Sequence, residues 1–254
     1  MKKSMLCFVV VACLCFAASA KAESLRVVTL YSPPLAFERD QQVVGMAVDL
    51  VREGLRRMGY EPEIVIMPWK RALLMTRFGE ADAIFYAVRN ETREAWFHYP
   101  EEPLVSETSV LLKRSGEHLN ISLEKHDYRH LRVGVGHGYY YGPELKEFMD
   151  ASTFGATEEA STIECNFAKL LERRIDMFLV ELHLARYLLK EQSSQGPVDI
   201  VMGEDGTPLV LDSVDAYLAF SRETMSYLVA DQFSGTLKAM KADGTYQKII
   251  KLYQ

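Results

Sequence analysis

The residues 133–142 read VGVGHGYYYG, four glycines and three tyrosines behind an apolar, strand-like run. Such a loop could cradle a phosphate or a dinucleotide, and the spacing tests both. Gly134 and Gly136 are followed by Tyr139 where G-x-G-x-x-G needs its third glycine, and no G-K-[ST] follows. His126 and His130, in HDYRH, stand four apart, a metal-ligand spacing on a helix. No third ligand is evident, so exposed polar residues before a strand are the expectation. No Ser–His–Asp arrangement can be assigned. Cys165 has no adjacent base, so a small buried apolar residue is expected there rather than a nucleophile. Neither a metal nor a cofactor is expected.

The chain has 254 residues and a formal charge of −6. The segment from Met1 to Ala22 reads as a secretory leader: Lys2 and Lys3, an apolar run from Met5 to Ala17, then small residues fitting cleavage after Ala20 or Ala22. The run is short for a membrane anchor. Cleavage before Cys13, as in a lipoprotein, would leave the apolar CLCF at the new N-terminus, which argues against it. Cleavage after Ala22 removes three lysines and no acid, which takes the formal charge from −6 to −9. So acidic a chain does not suit nucleic acid or anionic membranes. Cys7, Cys13 and Cys15 leave with the leader, so Cys165 remains without an intrachain disulfide partner.

The elements that must position any site alternate as strand and helix, which reads as α/β. LRVVTLY (25–31), EIVIMPW (63–69) and ADAIFYA (81–87) are strands. Between them lie helices over 45–60 and 70–80, the first with Val48, Val51, Leu55 and Met58 on one face. The pattern then restarts with strands at 131–136, 175–180 and 198–203 and helices opening at Pro143, Cys165 and Glu181. DAYLAFSR (215–222) is a last strand, and two helices broken at ADGT end the chain. Two successive sets in a chain this size suggest two lobes, with ligand at the strands' C-terminal ends, between them.

These segments resemble, in order and spacing, the extracellular solute-binding proteins of family 3, the periplasmic binders of polar amino acids. YSPPLAF resembles the family's Y-x-P-F segment, GMAVDL its G-F-D-V-D-L, and GEADAIF its G-x-x-D-hydrophobic run. NETREAWFHYPEEPL resembles T-x-E-R-x-x-x-x-D-F-S-x-P-Y, and LRVGVGHGYY the second-lobe strand and loop. LLERRIDMFLVE resembles L-x-x-G-R-x-D-A-x-x-x-D, and MKADGTYQKIIKLY the C-terminal signature. The resemblance covers nearly all of the chain after the leader. It implies a type II, two-lobed α/β fold, each lobe a mixed β-sheet flanked by helices, hinged by two crossover segments. The first lobe would run over 23–104 and take up the chain again at 216–254. The second lobe would run over 108–210.

The family's site residues carry over by motif position. Arg93 matches the arginine whose planar donors fork onto a ligand carboxylate. Glu181 matches the second-lobe acid that accepts from the ligand ammonium; a helix N-terminal acid is the other reading. Trp69 matches a stacking aromatic, or is a core tryptophan. Arg71 is a second-acid binder or part of a solvated helix face. Tyr31 lies near the ligand wall. Tyr86 stands where the family often has glycine, and Val88 where it has a hydroxyl on the carboxylate, a loss that nearby Arg89 either compensates or does not. His137, Tyr139 and Tyr140 make the loop bulkier and more aromatic than in the family.

The resemblance implies a periplasmic, monomeric binder that does no chemistry, captures a small amino-acid-like zwitterion and delivers it to the membrane permease of an ABC transporter. Two alternatives share the fold. A periplasmic cyclohexadienyl (prephenate) dehydratase would recruit Glu181 or His137 as general acid. A sensory protein would deliver its ligand to a receptor.

Overall fold

The computed structural model describes residues 22–119, 121–122, 127–191 and 198–253. The expected leader up to residue 21 and His126 of the histidine pair fall outside them. The chain runs β1 (Glu23–Thr29), a hairpin of β2 (Phe37–Arg39) and β3 (Gln42–Val44), α1 (Met46–Arg57), β4 (Tyr60–Ile66), α2 (Trp69–Arg77) and β5 (Ala83–Val88). A short α3 (Glu91–Glu94) and β6 (Phe97–His98) lead to the long β7 (Val105–Arg114). Then come β8 (Asp127–Gly136), α4 (Pro143–Ala151), β9 (Thr153–Ala160), α5 (Ile163–Leu171), β10 (Met177–Glu181), α6 (Leu182–Glu191) and β11 (Val198–Ile200). The last elements are β12 (Asp212–Ser221), α7 (Tyr227–Ala242) and α8 (Thr245–Lys251). Among the described residues no helix is long and apolar enough to cross a membrane.

The ladder order is β4-β1-β5-β12-β7-β10-β8-β9. The order is the same outward from its middle in both directions. In one half β1 lies between β4 and β5, all parallel, and β12 returns antiparallel. In the other, β8 lies between β9 and β10, all parallel, and β7 is antiparallel. Parallel strands covered by helices need apolar side chains on both faces, and β5, AIFYAV, is buried throughout.

An aspartate repeats the match in detail. Asp82 Oδ2 accepts from the Arg26 backbone N–H at 2.8 Å, and Asp176 Oδ2 accepts from the Arg132 backbone N–H at 2.8 Å. Each aspartate's own N–H donates back to the same partner's carbonyl, at 2.8 and 2.9 Å. These double ties fix the register of β5 on β1 and of β10 on β8 just before the strands enter the core.

The buried apolar side chains separate accordingly. One cluster draws on residues between Leu25 and Val105 and between Ala216 and Met240. Two others draw on residues between Val110 and Leu211. β7 and β12 cross between the halves as an antiparallel pair, with Val105 opposite Ala216 and Ser109 opposite Asp212. Cys165, expected buried, is exposed. The inward face of α5 is Asn166, Phe167 and Leu170, and one step of the helix turns Cys165 off it.

Arg173, three residues before Asp176, has φ +60 just past the end of α5. The corresponding position before Asp82 is Gly79, at φ +72 past α2. A side chain at such a helix end meets the Cβ–carbonyl clash that glycine avoids. Relief of about 1–2 kcal/mol of left-handed strain, less about 0.5–1 kcal/mol for glycine's greater unfolded-chain entropy, is expected to leave Arg173→Gly more stable, read as a higher urea midpoint with unchanged slope. A lower midpoint would mean that the exposed Arg173–Glu117 contact outweighs the strain.

Candidate functional site

Most of the residues singled out from the sequence meet at strand ends between the two halves. Leu30, Trp69, Tyr86, Val88, Arg93, Glu107, Tyr139 and Tyr140 line one cavity of about 20 Å³. That is room for a single water.

Arg93 sits on α3, whose first turn is capped by Asn90: its side-chain oxygen accepts from the Arg93 N–H at 2.9 Å. The arginine is 4% exposed. Its guanidinium donates to the Val88 carbonyl at 2.8 Å and to the Gly138 carbonyl at 3.2 Å, and stands 5.4 Å from the Trp69 ring centre. Among the described residues no carboxylate pairs with it, and burial lowers its pKa. Val88 contributes its carbonyl, which also accepts from the Tyr99 hydroxyl at 3.3 Å. Arg89 does not stand in for the missing hydroxyl. It lies 5.1 Å from the Tyr99 and Tyr217 ring centres and donates to the Pro100 carbonyl, outside the cavity.

Glu181 ends β10 and serves as the helix N-terminal acid. Oε2 accepts from the Leu184 N–H at 2.9 Å, capping α6. Oε1 is buried without a hydrogen-bond partner. Burial raises the carboxyl's pKa against the lowering effect of the His183 N–H bond. Glu181 does not line the cavity itself, but its charge reaches Tyr86 and Glu107.

Tyr86 is the one residue of β5 at positive φ, +67. The ladder to β12 skips it, since Ala87 faces Tyr217 and Phe85 faces Leu218. This is a bulge, the device that re-aims a side chain at a site. Its backbone strain is of order 1–3 kcal/mol. The Tyr86 hydroxyl is buried and unpartnered. Burial first, then Glu181 and Glu107, raise its pKa.

The three tyrosines of the loop divide. Tyr139 lies edge-on to Trp69, ring centres 6.2 Å apart, and with Tyr140 lines the cavity. Tyr141 turns away into the second half's core and its hydroxyl accepts from the Gly136 N–H at 2.7 Å. Gly136 is needed where it stands, because a Cβ there would lie 2.4 Å from the Tyr139 ring. Besides Glu181, three expected residues are not brought to the cavity. His137 is exposed, 3.6 Å from Glu159. Arg71 is exposed on α2, and Tyr31 is 38% exposed past the end of β1.

Glu107 was not expected from the sequence. It lies on β7, 8% exposed, with Ser109, whose hydroxyl is also buried and unpartnered, two residues on. Ser109 faces Glu181 across the β7–β10 ladder. The available signal was period two: Val105, Glu107, Ser109 and Leu111 alternate inward, which puts two polar side chains on a buried face. Burial, reinforced by Glu181 and partly offset by Arg93, pushes the Glu107 carboxyl up to about 8. Among the described residues no group of three potential ligands could hold a metal.

Two lobes of mixed sheet crossed by a strand pair, with a charged cavity between them, define a type II binding-protein architecture. The chain belongs to the bacterial extracellular solute-binding proteins, family 3, which it matches over residues 25–254. It binds a solute and is similar to amino-acid-binding proteins of ABC transporters. An arginine third transport system periplasmic binding protein from Legionella pneumophila superposes with a TM-score of 0.76 at 15% identity, covering 91% of this chain and 100% of that one. An ancestral arginine-binding protein bound to glutamine gives 0.75 at 21%, covering 91% and 97%. An ancestral amino-acid-binding protein, a precursor of cyclohexadienyl dehydratase, gives 0.72 at 20%, covering 91% and 95%. None of the curated proteins matches the sequence.

Glu107 makes stability depend on pH with a definite sign. Its folded pKa lies above the ordinary glutamate value of about 4.3, so the folded state holds the extra proton between there and about 8. Stability contributed by this group therefore falls as pH rises through that window. Glu107→Gln, always neutral, should lie closest to the parent near pH 4 and exceed it near pH 8 by on the order of 2 kcal/mol, read from urea midpoints. Equal midpoints at pH 8 would contradict a protonated, buried Glu107.

Proposed function

We propose that this protein captures an amino acid, or a relative carrying both a carboxylate and an ammonium, between lobes formed by residues 23–104 with 216–254 and by residues 108–210. Export by the leader would place it in the periplasm, where the closed form presents its ligand to the membrane permease of an ABC transporter. The observation that carries the ligand class is Arg93: a buried guanidinium held only by backbone carbonyls, with Glu181 Oε1 left unpartnered in the same polar cluster. Buried polar groups go unpartnered rarely and at a cost, and a zwitterion supplies the missing partner at each end. Its carboxylate would take the guanidinium from Gly138. Its ammonium would donate to Glu181, with the Tyr86 hydroxyl and a strand-end carbonyl nearby. Trp69, Tyr139 and Tyr140 would enclose the side chain, and Tyr31, Arg71 and His137 would lie at the rim.

The cavity has too little room for such a ligand, so the Tyr139 loop must withdraw from Trp69 before entry. The β7–β12 crossing is the natural hinge. Ser106–Ser109 belong to none of the apolar clusters, which leaves this stretch of β7 the least tied to either core.

A buried carboxyl whose pKa burial raises, as it does at Glu181, is also suited to the general acid of a dehydratase. Incubation with prephenate, followed by phenylpyruvate absorbance, separates that reading: turnover abolished by Glu181→Gln would replace binding with catalysis. For the binding reading, calorimetry over amino acids should find a ligand. Arg93→Ala should then weaken it at least about 100-fold, the loss of a charge-assisted bidentate partner. Unchanged affinity would rule out Arg93 as the carboxylate anchor.

A further inference from the structure

Glu107 lines the cavity with Arg93, and its charge interacts with both that guanidinium and the buried Glu181 carboxylate behind it. Glu107 and Glu181 are 8% and 6% exposed, and Arg93 is the one cationic side chain among the cavity's lining residues. No lysine, arginine or histidine among the described residues forms an ion pair with either glutamate. Around them Glu181 Oε1, Ser109 Oγ and Tyr86 OH, all in buried residues, have no hydrogen-bond partner. Each of these oxygens can accept a hydrogen bond.

We infer that Glu107, with Glu181 and Ser109, forms a cation-accepting subsite, and that the cleft is built for ligands with two cationic groups against one carboxylate. A neutral zwitterion cancels Arg93 and one glutamate. The other carboxylate is then buried with no counter-charge, an arrangement costly enough that the group keeps a proton instead. An acidic ligand adds a fourth negative group, after the two glutamates and its own α-carboxylate, and is disfavoured further. A second ammonium or guanidinium on the ligand balances the count and brings N–H donors for the three unpartnered oxygens. Glu107 suits this work because it sits on the crossing strand β7, next to both halves, where a cation can be enclosed as the cleft closes.

A structural role alone would leave Glu107 bonded, as Oε2 of Glu181 is bonded to the α6 N-terminus. No such bond to Glu107 occurs among the described residues.

The inference rests on the amino-acid reading for the carboxylate end only, and three probes of one shape separate the two. Citrulline has the backbone groups and a neutral side chain. Arginine adds a guanidinium. Agmatine keeps both cations and lacks the carboxylate. Calorimetry on the full chain at pH 7 should find arginine at least about tenfold tighter than citrulline, with the ratio falling to within about threefold in Glu107→Gln. Circular dichroism checks that the variant is folded. Citrulline binding as tightly as arginine, or a ratio unchanged in Glu107→Gln, would overturn the cation subsite while leaving the amino-acid reading intact. Agmatine binding without arginine would support the subsite and overturn the amino-acid reading. No heat from any of the three overturns both.

Discussion

Everything at the cleft hangs from a bond made far from it. The Asp82 carboxylate on the Arg26 N–H, and its counterpart Asp176 on the Arg132 N–H, lock the third parallel strand of each half to the first. A one-residue slip in either ladder would exchange the faces of every side chain beyond it. With the register fixed, β5 delivers Tyr86 and Val88, and β10 delivers Glu181, at strand ends on opposite sides of the crossing pair β7–β12. The same device used twice makes the two halves present matching edges. The charged residues on those edges differ, and the difference is what gives the cleft its chemistry.

Charge burial then sets the terms. Arg93 is held by carbonyls, so its charge is solvated by dipoles rather than neutralised. Glu107 escapes the same cost by keeping its proton, and burial raises the Glu181 carboxyl's pKa in the same direction. The cluster is thus stable when closed but under-partnered. A ligand that supplies the missing donors and counter-charges gains interactions that water would otherwise dilute. Strain is concentrated here as well: Tyr86 is bulged out of β5 at positive φ beside the unpartnered groups.

Much of this was legible in the sequence, and the rest failed for identifiable reasons. Alternating apolar runs located β1, β4, β5, β8, β10, β11 and β12, and motif order brought Arg93, Trp69, Tyr86, Val88, Tyr139 and Tyr140 to one place. β7 escaped because VSETSVLLKR changes environment midway, from a crossing where polar residues belong to a core where they do not. With it went Glu107, the acid that most alters the site's charge. Tyr86 and Arg173, at positions where the family motifs have glycine, both stand at positive φ. His137 and Arg71 carry suitable chemistry but point outward, because the loop's turn at Gly136 and the exposed face of α2 decide direction independently of residue type.

The glycine–tyrosine loop shows how occupancy can act as specificity. Tyr139 packs edge-on against Trp69, and the carbonyl of Gly138 holds Arg93. Both contacts join the two halves without any ligand. Whatever binds must therefore displace an aromatic ring and outbid a carbonyl for the guanidinium. A neutral group exchanges one dipole for another and gains little. A carboxylate replaces a neutral acceptor with a charged one, which roughly doubles the strength of the bond. The ring it displaces can close again over the ligand's apolar stem. A loop that fills its own pocket thus selects for charge at the anchor and leaves shape to the tyrosines.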